Sequence, residues 1–238
     1  MKRMLTFLAA ALTLSAGLLH AQTPAPEIHY IGFNDFIDDE AANADQVFSD
    51  YVETITPIMA RYGLTLEAYR VVHANASGLA ADAITFGAAP DQASFAAFFA
   101  DPEFQAAFPK LVGVIEDHTV IFVDDLLPAA PDHAPAMLRL YWLQEDRAEN
   151  RAKIAEAQKV LGEARASFGV EVLGVRSGLM ANRGLGGEIE AVAPPDMISL
   201  TTFGDAHGYF DDPRVKSVAQ EIDGLVRDDG AFWIGPWR

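Results

Sequence analysis

The chain has 238 residues, of which 50% are hydrophobic and 10% aromatic, ample for one large core or two small ones. Acidic residues outnumber basic ones 34 to 17, which argues against nucleic acid or anionic lipid as partner, because both call for Lys/Arg neutralisation. There is no cysteine, hence no disulfide framework and no thiolate chemistry, and the core must hold the fold unaided.

At the N-terminus, Lys2 and Arg3 precede an apolar run from Met4 to Leu19, and small Ala21 stands just before polar Gln22-Thr23. This basic, apolar, small-residue order predicts a secretory signal peptide over residues 1–21. The run is short for a membrane span, which needs ~20 apolar residues, so no membrane association is expected after cleavage. Removing Lys2 and Arg3 leaves 15 basic residues against 34 acidic ones, a net charge of −19 for the mature chain. The expected compartment is the periplasm, with secretion as the alternative.

A Pro/Ala-rich lead-in, Gln22 to Glu27, comes before a predicted strand at Ile28–Phe36. Asp38-Asp39-Glu40 places acids at a helix start, where the helix dipole favours them. Ala44, Phe48, Tyr51, Ile55, Met59 and Tyr62 then recur at helical spacing, with a kink expected at Pro57 and a glycine end at Gly63. Strands are predicted at Leu64–His73 and Ala83–Gly87, separated by a turn at Asn75–Gly78. Pro90-Asp91 opens a helical region carrying Phe95, Phe98 and Phe99. Asp101-Pro102 restarts it, Asp as cap and Pro at the first helical position. A fourth strand covers Thr119–Val123.

Pro128 to Ala136 has linker composition, contains His133, and divides the chain into residues 22–127 and 137–238. The second part repeats the order. Strand Met137–Leu143 leads to a helix Asp146–Phe168 ended by Gly169, and strand Val170–Leu179 follows. A Gly-rich insertion, Asn182 to Gly187, reads as a loop and potential lid. Strand Met197–Phe203, a helix from Asp212-Pro213 and strand Ala231–Ile234 complete it. The Asp-Pro helix starts lie 111 positions apart, and Arg70 meets Arg176 at an offset of 106.

Each half therefore reads β-α-β-β-α-β, which gives a four-stranded antiparallel sheet with both helices on one face. The bare sheet face of each half must be covered. The predicted fold is α+β, with two tandem βαββαβ ferredoxin-like repeats packed sheet to sheet as an intrachain barrel. One chain is then a monomeric pseudo-dimer, or a homo-oligomer of such units.

These residues resemble the dimeric α+β barrel superfamily. Ile84-Thr85-Phe86, followed by Phe98-Phe99-Ala100-Asp101-Pro102-Glu103-Phe104-Gln105, is similar to the strand-then-helix signature of a small family in it known only as a domain of unknown function. The second half departs from that signature, with Val215-Lys216 in place of the aromatic-Gln pair. The resemblance implies a cavity between sheet and helices but no single reaction, because the superfamily holds cofactor-free monooxygenases, haem enzymes, isomerases and binders.

Candidate ligand-binding residues are Arg70 and Arg176, which sit at equivalent strand positions, His73 and His118 at strand ends, and the hydroxyls of Tyr69 and Tyr141. A strand-borne Arg facing a core requires a carboxylate or an anionic ligand. A structural Arg–carboxylate pair between sheet and helix is the competing account. No HxH, HxxxH or HExxH spacing occurs, so no metal is expected. No cofactor is expected either. Resemblance to the chlorite-decomposing and dye-decolourising enzymes makes His207 the axial-ligand candidate if haem is present, with Arg176 or Arg214 as distal group.

Three functional readings follow. The first is a small, partly apolar molecule held in the barrel. The second is a cofactor-independent monooxygenase or isomerase, with Arg70 or Arg176 stabilising an enolate and His73 or His118 moving the proton. The third is a structural protein with a filled interior.

Overall fold

The computed structural model describes residues 27–37, 41–76, 78–131, 134–144, 147–185, 189–204 and 206–237. The expected signal peptide, most of the lead-in, the expected helix start at Asp38-Asp39-Glu40, His133 and the end of the Gly-rich insertion lie outside these residues. The first half comprises β1 (Ile28–Phe36), α1 (Ala41–Arg61), β2 (Thr65–Ala76), β3 (Ala83–Ala89), α2 (Gln92–Ala100), α3 (Pro102–Val112) and β4 (Ile115–Val123). The second comprises β5 (Ala136–Leu143), α4 (Arg147–Phe168), β6 (Val170–Arg176), β7 (Gly178–Arg183), β8 (Glu190–Val192), β9 (Met197–Phe203), α5 (Pro213–Asp223) and β10 (Val226–Pro236). Among the described residues no helix is long and apolar enough to cross a membrane.

The strands are ordered β6-β9-β5-β10-β2-β3-β1-β4-β7-β8. Each half thus has the ferredoxin-like order, β2-β3-β1-β4 in the first and β6-β9-β5-β10 in the second, with antiparallel pairing throughout. The second strand of each half serves both sheets. β2 pairs with β3 through Thr65–Arg70 and with β10 through Tyr69–Ala76. β6 pairs with β9, and after Ser177 the chain continues as β7 along β4. Because β6 and β7 are consecutive, the sheet closes on itself. The two inner faces meet as a barrel, so the α+β fold is the one the sequence predicts.

Alternation along each strand divides the core. Ile31 and Phe33 of β1, Ile84 and Phe86 of β3, Leu138 and Leu140 of β5 and Phe232 of β10 fill the barrel. At its centre the rings of Phe33 and Phe232, both 0% exposed, lie 5.3 Å apart. The opposite face of the first sheet packs on α1, α2 and α3, and that of the second on α4 and α5. β3 is buried along its whole length because it has cover on both faces.

Closure lengthens strands beyond their sequence limits. β2 continues to Ala76, through half of the expected turn, because β10 offers it a partner. β4 and β10 also begin early, at Ile115 and Val226, through pairing inside their own halves with β1 and β5. Part of the Gly-rich insertion forms the β7–β8 hairpin, which alternation did not reveal. α1 continues through Pro57, with Ile55, Ile58 and Met59 buried beside it. The segment of linker composition is packed where it is described: Ala130 is buried in the barrel cluster, and its N–H donates to the Tyr69 hydroxyl at 3.0 Å.

Both Asp-Pro pairs start helices. Asp101 Oδ1 accepts the N–H groups of Glu103 at 2.8 Å and Phe104 at 3.4 Å, while Oδ2 accepts from Tyr62 Oη and Arg61 Nη2, each at 2.8 Å. Burial would raise the Asp101 carboxyl, but the Tyr62, backbone and Arg61 interactions hold it below the usual range. Asp212 has local partners: hydrogen bonds from the Arg214 side chain and backbone N–H lower its carboxyl to about 2. Asp101→Ala, which also frees Arg61 and Tyr62, should therefore lower the urea midpoint more than Asp212→Ala. Phe232→Ala should cost about 3–5 kcal/mol in the same assay, since a barrel closed by paired strands has little freedom to collapse onto the cavity.

Candidate functional site

The face of the first sheet turned toward the helices carries Tyr30, Gly32 and Asn34 on β1, Thr85 and Gly87 on β3, and His118, Val120 and Phe122 on β4. Period-two alternation puts them there, since their neighbours Ile31, Phe33, Ile84, Phe86 and Ile121 enter the barrel. Opposite stand Tyr51 and Ile55 of α1, Phe98 of α2 and Phe104 of α3. Between the layers is a cavity of about 110 Å³. Leu185, just after β7, reaches it from the second half.

Two glycines shape its floor. A Cβ on Gly32 would lie 2.5 Å from Thr85 Oγ1 and 3.5 Å from His118 Cε1, and one on Gly87 would lie 2.2 Å from Tyr30 Cζ. The missing side chains therefore make room for a polar group and a phenol ring against the sheet. Tyr30 packs edge-on to Phe95, with ring centroids 5.7 Å apart. Burial raises the Tyr30 hydroxyl, and burial together with the neighbouring Tyr30 raises that of Tyr51, so both phenols stay neutral. Asn34 is 3% exposed, and its Nδ2 donates to the Ala83 carbonyl at 3.4 Å.

His118 is the polar centre of the cavity. Burial drives its pKa down to about 4, against the opposing effects of a hydrogen bond to the Phe33 backbone and the charge of Asp117. The ring is neutral at neutral pH. Its Nδ1 is buried without a hydrogen-bond partner. A neutral imidazole carries one N–H and one lone pair, so this nitrogen can present a lone-pair acceptor to the cavity. The strand beneath is held firmly: the His118 N–H donates to Asp117 Oδ1 at 2.9 Å, its carbonyl accepts from Gly184 at 2.8 Å, and Asp117 Oδ2 pairs with Arg183 Nε at 2.5 Å.

The equivalent space in the second half, between β5, β9 and helices α4 and α5, is a cavity of about 240 Å³ with a different character. Arg139, Tyr141, Gln158, Arg165 and Ser199 line it beside apolar residues. A third concavity of about 400 Å³ opens at one end of the barrel, bounded by Trp142, Arg183 and Arg227. The barrel centre itself is filled by side chains.

The structure separates most of the candidate residues named from the sequence. Arg70 Nη1 pairs with Asp45 of α1 at 2.5 Å, and its guanidinium lies 4.7 Å from the centroid of the Trp237 ring. Arg176 donates from Nε and Nη2 to the Leu126 carbonyl, at 3.0 and 2.7 Å, and pairs with Asp125 at 3.2 Å. Both arginines therefore have protein partners, and neither lines the cavities described above. His73 is exposed on β2. Tyr69 is buried in the barrel and donates to Glu67 Oε2 at 2.5 Å. Tyr141 lines the second-half cavity, where burial raises its hydroxyl despite the nearby Arg139. Of the six, only His118 lies in the first-half cavity.

Sequence reasoning missed Tyr30, Tyr51, Asn34 and Thr85, and also Arg139 and Arg165. Placing Tyr30, Asn34 and Thr85 on the helix side, out of phase with Ile31, Phe33 and Ile84, was the signal available. His207 is exposed in the turn before the short 3₁₀ segment Tyr209–Asp211, and no histidine is among the described residues lining the second-half cavity. The residues there do not fit a haem held through His207. Among the described residues no His/Asp/Glu group is arranged to hold a metal ion.

The half-buried His118, with its Nδ1 out of contact with water, makes stability depend on pH in a definite direction. Its folded pKa of about 4 lies below the ordinary value of 6.5, so between these values the unfolded chain binds more protons. Its contribution is fully present above pH 6.5, falls as the pH drops, and is lost below about 4. The total is on the order of 3 kcal/mol. His118→Gln should remove this component, so the stability gap between wild type and variant should shrink from pH 7 to pH 4 in urea titrations.

No family model matches the sequence, and no curated protein matches it. Solved structures do match the fold. A candidate monooxygenase from Fusobacterium nucleatum subsp. nucleatum is 10% identical, with a TM-score of 0.55 over 91% of this chain and 94% of that one. Two mutant chlorite dismutases from Candidatus Nitrospira defluvii are each 9% identical over 90% of this chain, with TM-scores of 0.53 over 94% and 0.52 over 93% of their own lengths. At such identities the likeness is one of fold, and the fold is that of the dimeric α+β barrels.

Proposed function

We propose that the first-half cavity binds a small, neutral, largely aromatic molecule bearing one hydrogen-bond donor, such as a phenol. The observation that carries this reading is the buried, partnerless Nδ1 of His118 among aromatic side chains. An unpaired acceptor in an apolar site costs free energy that an O–H or N–H group would recover. The volume of about 110 Å³ is below the roughly 150 Å³ of a cavity known to take benzene, so a single ring is the upper size. The Phe98-Phe99 and Phe104 signature then acts twice, because its aspartate starts α3 and its rings wall the ligand space.

A cofactor-independent monooxygenase or isomerase would use the same His118 nitrogen as base. The energetics favour binding. Transferring a proton from a phenol, with pKa near 10, to an imidazole near 4 is uphill by about six units, or roughly 8 kcal/mol. No Arg or Lys among the described lining residues stands ready to stabilise the anion. Enzymatic turnover on this site therefore requires a substrate whose own proton is far more acidic.

The rest of the reading is organisational. The basic, apolar, small-residue N-terminus supports export, to the periplasm or beyond the cell. The common strand order and the Asp-Pro pairs 111 positions apart support descent of the two halves by tandem duplication. Kinship of the first half with the domain-of-unknown-function family has only the Ile84-Thr85-Phe86 and Phe98–Gln105 signature in its favour. Both halves come from one chain, so a monomer suffices for the site.

Phenol and toluene differ by the donor alone at nearly equal size. Calorimetric titration should give phenol at least a ten-fold tighter Kd, and His118→Phe should abolish binding of both by filling the space. Equal affinity for the two would remove His118 from the reading. Failure of both to bind would leave the cavity to water and end it.

A further inference from the structure

The second-half cavity carries an electrostatic anomaly. The chain has a net charge of −17, yet this space of about 240 Å³ is lined by two arginines and, among the described residues, by no carboxylate. Arg139 sits on the helix-facing side of β5 and Arg165 in the last turn of α4. The Nε atoms of both are buried and have no hydrogen-bond partner. Arg139 Nη2 reaches Asp229 at 2.9 Å, and the guanidinium lies 4.9 Å from the centroid of the Tyr141 ring. Arg165 Nη2 meets the neutral carboxamide of Gln158, which leaves its charge uncompensated there. Both guanidiniums act on the Tyr141 hydroxyl, so their fields overlap in the cavity.

Both guanidiniums are half-buried, but a buried Nε–H left without a partner is costly unless an acceptor meets it, and the planar fork suits a carboxylate. The remaining wall is apolar: Leu161 of α4, Phe203 of β9, and Val215, Val218 and Ile222 of α5. A headgroup of one negative charge and a hydrocarbon body would satisfy both parts.

We infer that the second-half cavity is a separate binding site for a small amphipathic carboxylate, such as a medium-chain fatty acid or an arene carboxylate, with Arg165 and Arg139 receiving the headgroup. The site shares no residue with the His118 cavity and does not depend on that reading. The two halves would then hold ligands of opposite demand, a neutral donor in the first and an anion in the second.

Calorimetry on the full chain with octanoate and 1-octanol tests this, because the two differ in headgroup charge at equal chain length. Octanoate should bind at least ten-fold more tightly than octanol, and Arg165→Met should erase that preference while leaving octanol affinity unchanged. Saturating phenol should not displace octanoate. Val218→Trp, which fills the apolar part of the cavity, should abolish octanoate binding and serves if Arg165→Met fails to fold. Four results overturn the inference: no octanoate binding, equal affinity for the alcohol, a carboxylate preference that survives Arg165→Met, or octanoate binding that survives Val218→Trp.

Discussion

Every part of this fold depends on a sheet that is apolar on both faces. Neither half can leave one face in water, so the helices cover the outer face and the other half covers the inner one. Two strand pairings make that possible. β10 runs along β2 on one side of the barrel, and β7 along β4 on the other. The second strand of each half must therefore be long enough to serve two sheets. β2 does so as one continuous strand, while its counterpart breaks at Ser177 into β6 and β7. Around the break, Asp124 N–H donates to the Ser177 carbonyl at 3.2 Å, and Ser177 N–H donates to Asp124 Oδ1 at 2.9 Å.

The same constraint decides where ligand space can exist. Large side chains from both sheets, Phe33 and Phe232 above all, fill the barrel centre. Space remains where rigid helices meet a sheet that carries glycines or polar side chains. In the first half, Gly32 and Gly87 supply the recess and His118 the polar atom. In the second, Arg139 and Arg165 replace the ring nitrogen with fixed positive charge. Equivalent positions in the two halves have thus taken opposite electrostatic character. A desolvated neutral imidazole accepts a hydrogen bond and is a weak base, whereas half-buried guanidiniums with unpartnered Nε–H groups call for an anion.

The matched arginines show how a symmetric pattern misleads about function. Arg70 and Arg176 occupy corresponding strands, but each is consumed locally, one by Asp45 and Trp237, the other by Asp125 and the Leu126 carbonyl. An acidic chain supplies such partners readily. The uncompensated positive charge facing a cavity belongs to Arg165, which meets only the Gln158 carboxamide, while Arg139 beside it also holds Asp229; neither has a repeat signature. The Asp-Pro stretch changes meaning in the other direction. It is a helix start, as its residue types dictate, and its phenylalanines are also cavity wall.

Element order, the α+β class, the two helix starts and the closing of two bare sheet faces were legible in the sequence, because they follow from periodicity, capping chemistry and the cost of exposed apolar surface. His118 was legible as a residue near a cavity but not as its centre. Strand ends, the β7–β8 hairpin and the packed course of the Pro/Ala segment were not legible, since each depends on a partner strand or core far away in the chain. The cavity chemistry belongs to the tertiary structure for the same reason. Whether a histidine is neutral, or an arginine unpaired, is set by what surrounds it after folding, and residues at positions 30, 34, 51, 85 and 118 become one site only when β1, β3, β4 and α1 are brought together.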